Sequence, residues 1–148
     1  MGAVTYPDMV VADVLNQYFI PVQIDVNNAG DLLNRYKVAW TPNLNIIDAD
    51  GNLFYHQEGW FPPSEFIPMA FCGYGQYRLR NKNYEEAGDC FNRVFDRYPV
   101  SYFASEALFY KGVANYLASH KVELLKESWI MLQRFYPDST WAIRSNIL

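Results

Sequence analysis

Tyr98-Pro99 recurs as Tyr136-Pro137, 38 residues along, from position 99 to position 137. Upstream of each pair the residues stay in register: Phe91, Val94 and Arg97 align with Trp129, Leu132 and Phe135. A self-similar period of this size, close to ~34 residues, marks stacked helical hairpins, each of which needs a neighbour to bury its apolar face. The spacing predicts helices from Ser64 to about Arg80, Tyr84 to Arg97, Ser101 to Ser119, Val122 to Phe135, and a short one from Ser139 onward. Pro63 suits a helix start, and Pro99 ends the second helix because the residue before a proline leaves the helical region.

Before Pro63 the pattern is different. Asp8 caps a helix to Tyr18, with Val11, Val14, Leu15 and Tyr18 at helical spacing. Phe19–Asp25 is a short apolar run with β-branched residues and predicts a strand. A short helix follows over Asp31–Tyr36. Asn43–Asp48 and Leu53–Glu58 read as two strands joined by the Asp50-Gly51 signal of a tight antiparallel turn. The expected fold class is therefore α/β followed by all-α, with a boundary between residues 70 and 71.

Composition narrows the function classes. The net charge of −4 and a sequence pI near 5.1 argue against nucleic-acid binding, which needs a basic face. No apolar run reaches the ~18 residues of a membrane span. The N-terminus has no basic stretch followed by an apolar one, so a cytoplasmic location is the default, and only a leader upstream of Met1 would change it. Aromatic residues make up 18% of the chain, and hydrophobic residues 51%, so a packed core with many rings is expected.

The segment Val4-Thr5-Tyr6-Pro7-Asp8, the strand ending at Asp25, the Val38-Ala39-Trp40-Thr41-Pro42 loop, the Asp48–Gly51 turn and Gly59 resemble, in order and spacing, the thioredoxin superfamily. The resemblance covers roughly residues 1–70 and implies a β-α-β-β-α portion of that fold, with a cis Thr41–Pro42 bond. It also implies that the family's Cys-x-x-Cys lies a few residues before Met1, and that a central strand between Phe19–Val26 and Asn43–Asp48 is missing. Three remedies are open: the flanking strands pair directly, a partner chain supplies a strand, or the natural protein is longer. Residues 71–148 resemble tetratricopeptide repeats. Gly75 and Ala87 match the close-contact positions of the first repeat, and Phe91 and Pro99 its later aromatic and proline. Gly112, Trp129 and Pro137 match in the second, where Leu125 replaces a small residue and implies a splayed hairpin.

Trp40, Thr41 and Pro42 are the peptide-binding candidates, since the resemblance implies a loop that offers backbone groups to extended chains; the plainer expectation is a structural turn. Cys72 and Cys90 lie where they can face each other across a helical hairpin, either as a disulfide or, more simply, as two buried reduced thiols. His56 and His120 have no second ligand at metal spacing, so no metal site is expected, and no cofactor motif or catalytic constellation appears. Asp48, Asp50 and Asn52 form a turn rather than a calcium loop. Tyr74, Tyr77, Phe109, Tyr110, Tyr116 and Trp141 would line either a groove or, more simply, a core; Arg78, Arg80 and Lys82 form a basic tip.

The functional expectation is a protein–protein interaction or scaffold module built on a redox-inactive thioredoxin-like remnant and helical repeats. Its partner is a protein or peptide, with a possible homo-oligomer through exposed strand edges, and neither nucleic acid nor membrane. The alternative is the C-terminal portion of a thiol–disulfide oxidoreductase whose Cys-x-x-Cys lies upstream.

Overall fold

The computed structural model describes residues 1–147. It contains a mixed α/β part followed by helices alone, in the order α1 (Met9–Tyr18), α2 (Gly30–Arg35), β1 (Asn43–Ile47), β2 (Leu53–Glu58), α3 (Pro63–Arg80), α4 (Tyr84–Arg97), α5 (Ala104–Ser119), α6 (Val122–Phe135) and α7 (Thr140–Ser145). The chain divides into two compact units, Met1–Ile67 and Pro68–Leu148. The division falls inside α3 at Pro68, which has no amide to donate to the helix.

In the first unit, Asp8 caps α1 by accepting from the Val10 and Val11 amides at 3.0 and 3.1 Å. β1 and β2 pair antiparallel, Asn43 opposite Glu58 and Ile46 opposite Tyr55, with an irregularity between Ile46 and Ile47. The turn is built by Asp48, whose carboxylate accepts from the Asp50 and Asn52 amides and from the Asn52 side chain at 2.8–3.0 Å. Those bonds, led by the Asn52 side chain, hold the Asp48 carboxyl below its ordinary range. Gly51 adopts φ +80° there, and a Cβ would meet the Arg35 guanidinium. Arg35 in turn donates to the Asp50 and Gly51 carbonyls, and the Tyr36 hydroxyl to Gly51. This clips α2 to the hairpin.

The strand expected over Phe19–Asp25 is not formed. Phe19 and Asp25 have extended dihedrals, but among the described residues the only sheet is β1–β2. Direct pairing between this segment and β1 is thereby ruled out. A strand exists only where another strand takes its hydrogen bonds, and this run has the composition of one without the partner.

The second unit holds most of the core. Leu108, Leu132 and Ala142 cluster with Phe95, Phe109, Met131, Tyr136 and Trp141. Phe109 stacks on Trp129 with centroids 4.9 Å apart and touches Trp141 at 5.2 Å, so the half-buried Phe109 and Trp141 rings pack against that buried cluster. α5 begins at Ala104 and not at Ser101, because Ser101 closes a preceding turn: its hydroxyl accepts from the Phe103 amide and its amide donates to Tyr98. His120 ends α5 in the left-handed conformation.

Two helix contacts differ from expectation. The atom nearest a Cβ built on Gly75 is Phe91, at 2.7 Å, and not Ala87. At the second hairpin, a Cβ on Gly112 would lie 2.9 Å from the Ser128 Cβ and 3.3 Å from the Leu125 carbonyl oxygen. The α5–α6 hairpin is thus closed, not splayed: Leu125 meets the glycine with both its side-chain Cδ1 and its carbonyl oxygen, each 3.3 Å from that Cβ.

Candidate functional site

The Trp40–Pro42 loop is fixed at the open end of the β1–β2 ladder. The Thr41–Pro42 bond is cis. The Gly59 amide donates to the Pro42 carbonyl at 2.8 Å, continuing the ladder one step beyond Asn43 and Glu58. Asn43 links three groups: its Nδ2 donates to Glu58 Oε1 at 3.0 Å and to the Trp40 carbonyl at 3.4 Å, while its Oδ1 accepts from Asn45 at 2.7 Å. His56 Nδ1 meets Asn45 Oδ1 at 2.9 Å and Nε2 lies 3.6 Å from Glu58. A cross-strand polar ladder therefore holds the loop in place from one side of the hairpin. On the other chain leaving the sheet, the Thr5 hydroxyl donates to the Phe61 carbonyl at 2.6 Å and is itself fully buried.

Fixed in this way, the loop leaves Trp40 71% exposed. Thr41 is exposed and Pro42 half-buried. Trp60, the residue after Gly59, is 56% exposed. It was not singled out in the sequence because Trp60-Phe61-Pro62-Pro63 reads as a connector. The register placing Asn43 opposite Glu58 is the signal that would have put Trp60 at the same end of the hairpin as Trp40.

The unpaired segment before α2 has the same character. Ile20 is 92% exposed and Val22 75%, and Ile24 and Val26 are exposed too. The amides of Ile20, Val22, Gln23, Ile24 and Asp25 donate to no backbone carbonyl among the described residues. Beside it lies a shallow depression of about 470 Å³ lined by Gln23, Ile24, Asp25, Asn28, Asp31 and Leu32. Asp25 caps a 3₁₀ turn there by accepting from the amide and side chain of Asn27 and from the Asn28 side chain at 2.9–3.2 Å.

No known family model, curated protein or solved structure matches this chain.

The two thiols are free and buried. Cys72 contacts the Phe103 carbonyl at 3.7 Å. Burial, then the nearby Glu106 and Cys90, drive its pKa well above the ordinary thiol value. Burial, with Glu86 next, raises Cys90 to about 11. Thiolate is the reactive form, so both are inert at neutral pH. Iodoacetamide is expected to leave both unmodified in the native chain at neutral pH and to label both in denaturant; mass spectrometry of the intact chain reads this directly. Rapid native labelling of either one would contradict it.

Two residues of the basic tip, Arg78 and Arg80, are used internally, while Lys82 is exposed. Arg78 pairs with Glu86 at 2.7 Å and lies over the Tyr74 ring, 5.2 Å from its centroid. The Tyr74 hydroxyl donates to the same carboxylate at 3.1 Å. Arg80 bonds Gln76. No group of three potential metal ligands occurs among the described residues, and none of their helices is long and apolar enough to cross a membrane.

Proposed function

We propose that this chain is a protein–protein interaction module, a thioredoxin-like unit joined to tetratricopeptide-like helical hairpins, and that its first unit does the binding. The observation that carries this is the apolar surface left on that unit. Of its 67 residues only Thr5, Val11, Val14, Phe66 and Ile67 are buried, while Ile20, Val22, Ile24, Trp40, Trp60 and other large apolar side chains stand exposed. Soluble proteins keep contiguous apolar patches small unless a partner covers them. A strand-like run with free amides adds main-chain bonding capacity, and extended peptides are captured by that chemistry through strand addition. Tryptophans such as Trp40 and Trp60 are the side chains most enriched at interface centres.

The partner of this chemistry is an extended, β-branched-rich protein segment. Titrating isotope-labelled protein with a set of such peptides is expected to shift the amide resonances of Ile20 and Val22–Asp25 and the Trp40 and Trp60 indole resonances in a saturable way. Shifts confined to Pro68–Ile147, or none with any peptide of the set, would overturn the proposal.

A further inference from the structure

Resting on that reading, we infer that two copies of this chain pair through residues 21–25 as an antiparallel ladder, with a twofold axis at Gln23. The amides of Val22, Gln23, Ile24 and Asp25 and the carbonyls from Pro21 to Ile24 make no backbone hydrogen bond among the described residues, and every position from Ile20 to Asn28 is exposed. A second copy suits it because the segment is complementary to itself in hydrogen bonding, apolar pattern and charge.

Hydrogen bonding fixes the phase. In an antiparallel pair, opposed residues alternate between pairs that exchange both main-chain bonds and pairs that exchange none. Pro21 has no amide, so it must fall in a non-bonded pair, as prolines on edge strands do. With the axis at Gln23, Pro21 faces Asp25 and Gln23 faces itself, both non-bonded. Val22 then faces Ile24, and these two residues of each copy supply the ladder bonds. All four of their amides are unpaired in the single chain.

The side chains agree with that phase. Successive residues of a strand point to opposite faces, so in such a pair Ile20, Val22 and Ile24 share one face and Pro21, Gln23 and Asp25 the other, up to the 3₁₀ turn that begins at Val26. Pairing about Gln23 puts the apolar faces of both copies on the same side, forming one continuous stripe. A slip by one residue would set apolar against polar positions, which penalises other registers. The segment carries a single charge, Asp25. In this register the two Asp25 side chains lie four residues apart along the ladder, about 13 Å, and beyond the ~10 Å screening length at 0.1 M salt. Nothing in the pairing opposes like charges.

A ladder of this length buries less than the ~1,200 Å² of a standard interface, so a weak, concentration-dependent dimer is expected. Sedimentation velocity across the micromolar to millimolar range should show reversible monomer–dimer exchange. Ile24→Pro deletes one ladder donor per copy, in a segment that is unpaired in the monomer, and should weaken association roughly thirtyfold. Ile143→Lys, on an exposed residue of the helical unit, should leave it unchanged. Non-bonded pairs bring opposed Cα atoms to about 4.5 Å, so Gln23→Cys should crosslink two copies under oxidised glutathione, while Ile20→Cys should not. A chain monomeric throughout the range, a dimer indifferent to Ile24→Pro, or equal crosslinking at both positions would overturn the inference. Peptide-induced shifts without dimerisation would sink this inference alone; loss of both would sink the interaction module with it.

Discussion

Phe91→Ala is expected to cost the helical unit about 3–5 kcal/mol, the range for deleting a fully buried phenylalanine. Phe91 is fully buried and stacks on Tyr110 with centroids 5.7 Å apart and planes at 26°. Its ring occupies the space that the missing side chain of Gly75 leaves, 2.7 Å from where a Cβ would sit. Against a total stability of order 5–15 kcal/mol, the thermal midpoint should fall by at least ~10 °C, read by far-ultraviolet circular dichroism. The pairing with Gly75 gives a sharper test. Gly75→Ala should destabilise the natural chain, where its methyl meets the ring, but stabilise the Phe91→Ala background, where it refills the cavity. A double-mutant cycle with additive effects would show that the two residues do not share that space.

Gly112→Val is expected to destabilise by ~3 kcal/mol, the upper part of the range for overpacking. The atoms a side chain would meet there are the Ser128 Cβ, the Leu125 carbonyl oxygen and the Leu125 Cδ1. The Cδ1 can shift with its rotamer, but the Ser128 Cβ and the carbonyl oxygen cannot, so α5 and α6 must separate. Gly112→Ala should fall between, because helix propensity returns about 1 kcal/mol of the steric cost. Ser128→Gly in the Gly112→Val background removes the nearest obstructing atom and should recover part of the loss. Gly88 is the control: a Cβ there meets the Asn115 side-chain oxygen at 3.1 Å, the end of a side chain that can move. Gly88→Ala should therefore be near neutral or mildly stabilising in the same denaturant titrations. If Gly88→Ala and Gly112→Val cost the same, backbone crowding is not what distinguishes them.

Most helices were legible because their signals are local. Asp8 caps α1 through its own side chain, Pro63 opens α3, and Asp50-Gly51 turns the hairpin; none of these needs information from far along the chain. Phe19–Asp25 failed for the opposite reason. Its β-branched residues satisfy every local condition for a strand, yet a strand is defined by bonds to another segment, and no local pattern reports whether one is there. The same distinction separates the two hairpin contacts. The small residues at Gly75 and Gly112 were visible as close approaches, but which atom approaches depends on helix rotation: Phe91 took the place assigned to Ala87, and Ser128 meets Gly112 alongside Leu125. In the site, Trp40, Thr41 and Pro42 could be singled out in sequence, whereas Trp60 became visible only through the β1–β2 register. Cys72 and Cys90 are free and buried, and that burial, with Glu106 and Glu86 nearby, pushes both thiols toward the unreactive form.

Hydrogen–deuterium exchange on the dilute chain, with and without a β-branched-rich peptide, is the most direct measurement of whether the first unit presents an unfilled strand position. In the free chain the amides of Ile20, Val22, Gln23, Ile24 and Asp25 should exchange at near-intrinsic rates while those of α4 and α5 stay protected, and peptide should slow the first set alone. Strong protection of Ile20–Asp25 in the dilute free chain would mean that the segment is already paired within the molecule, and would contradict the proposed mode of binding.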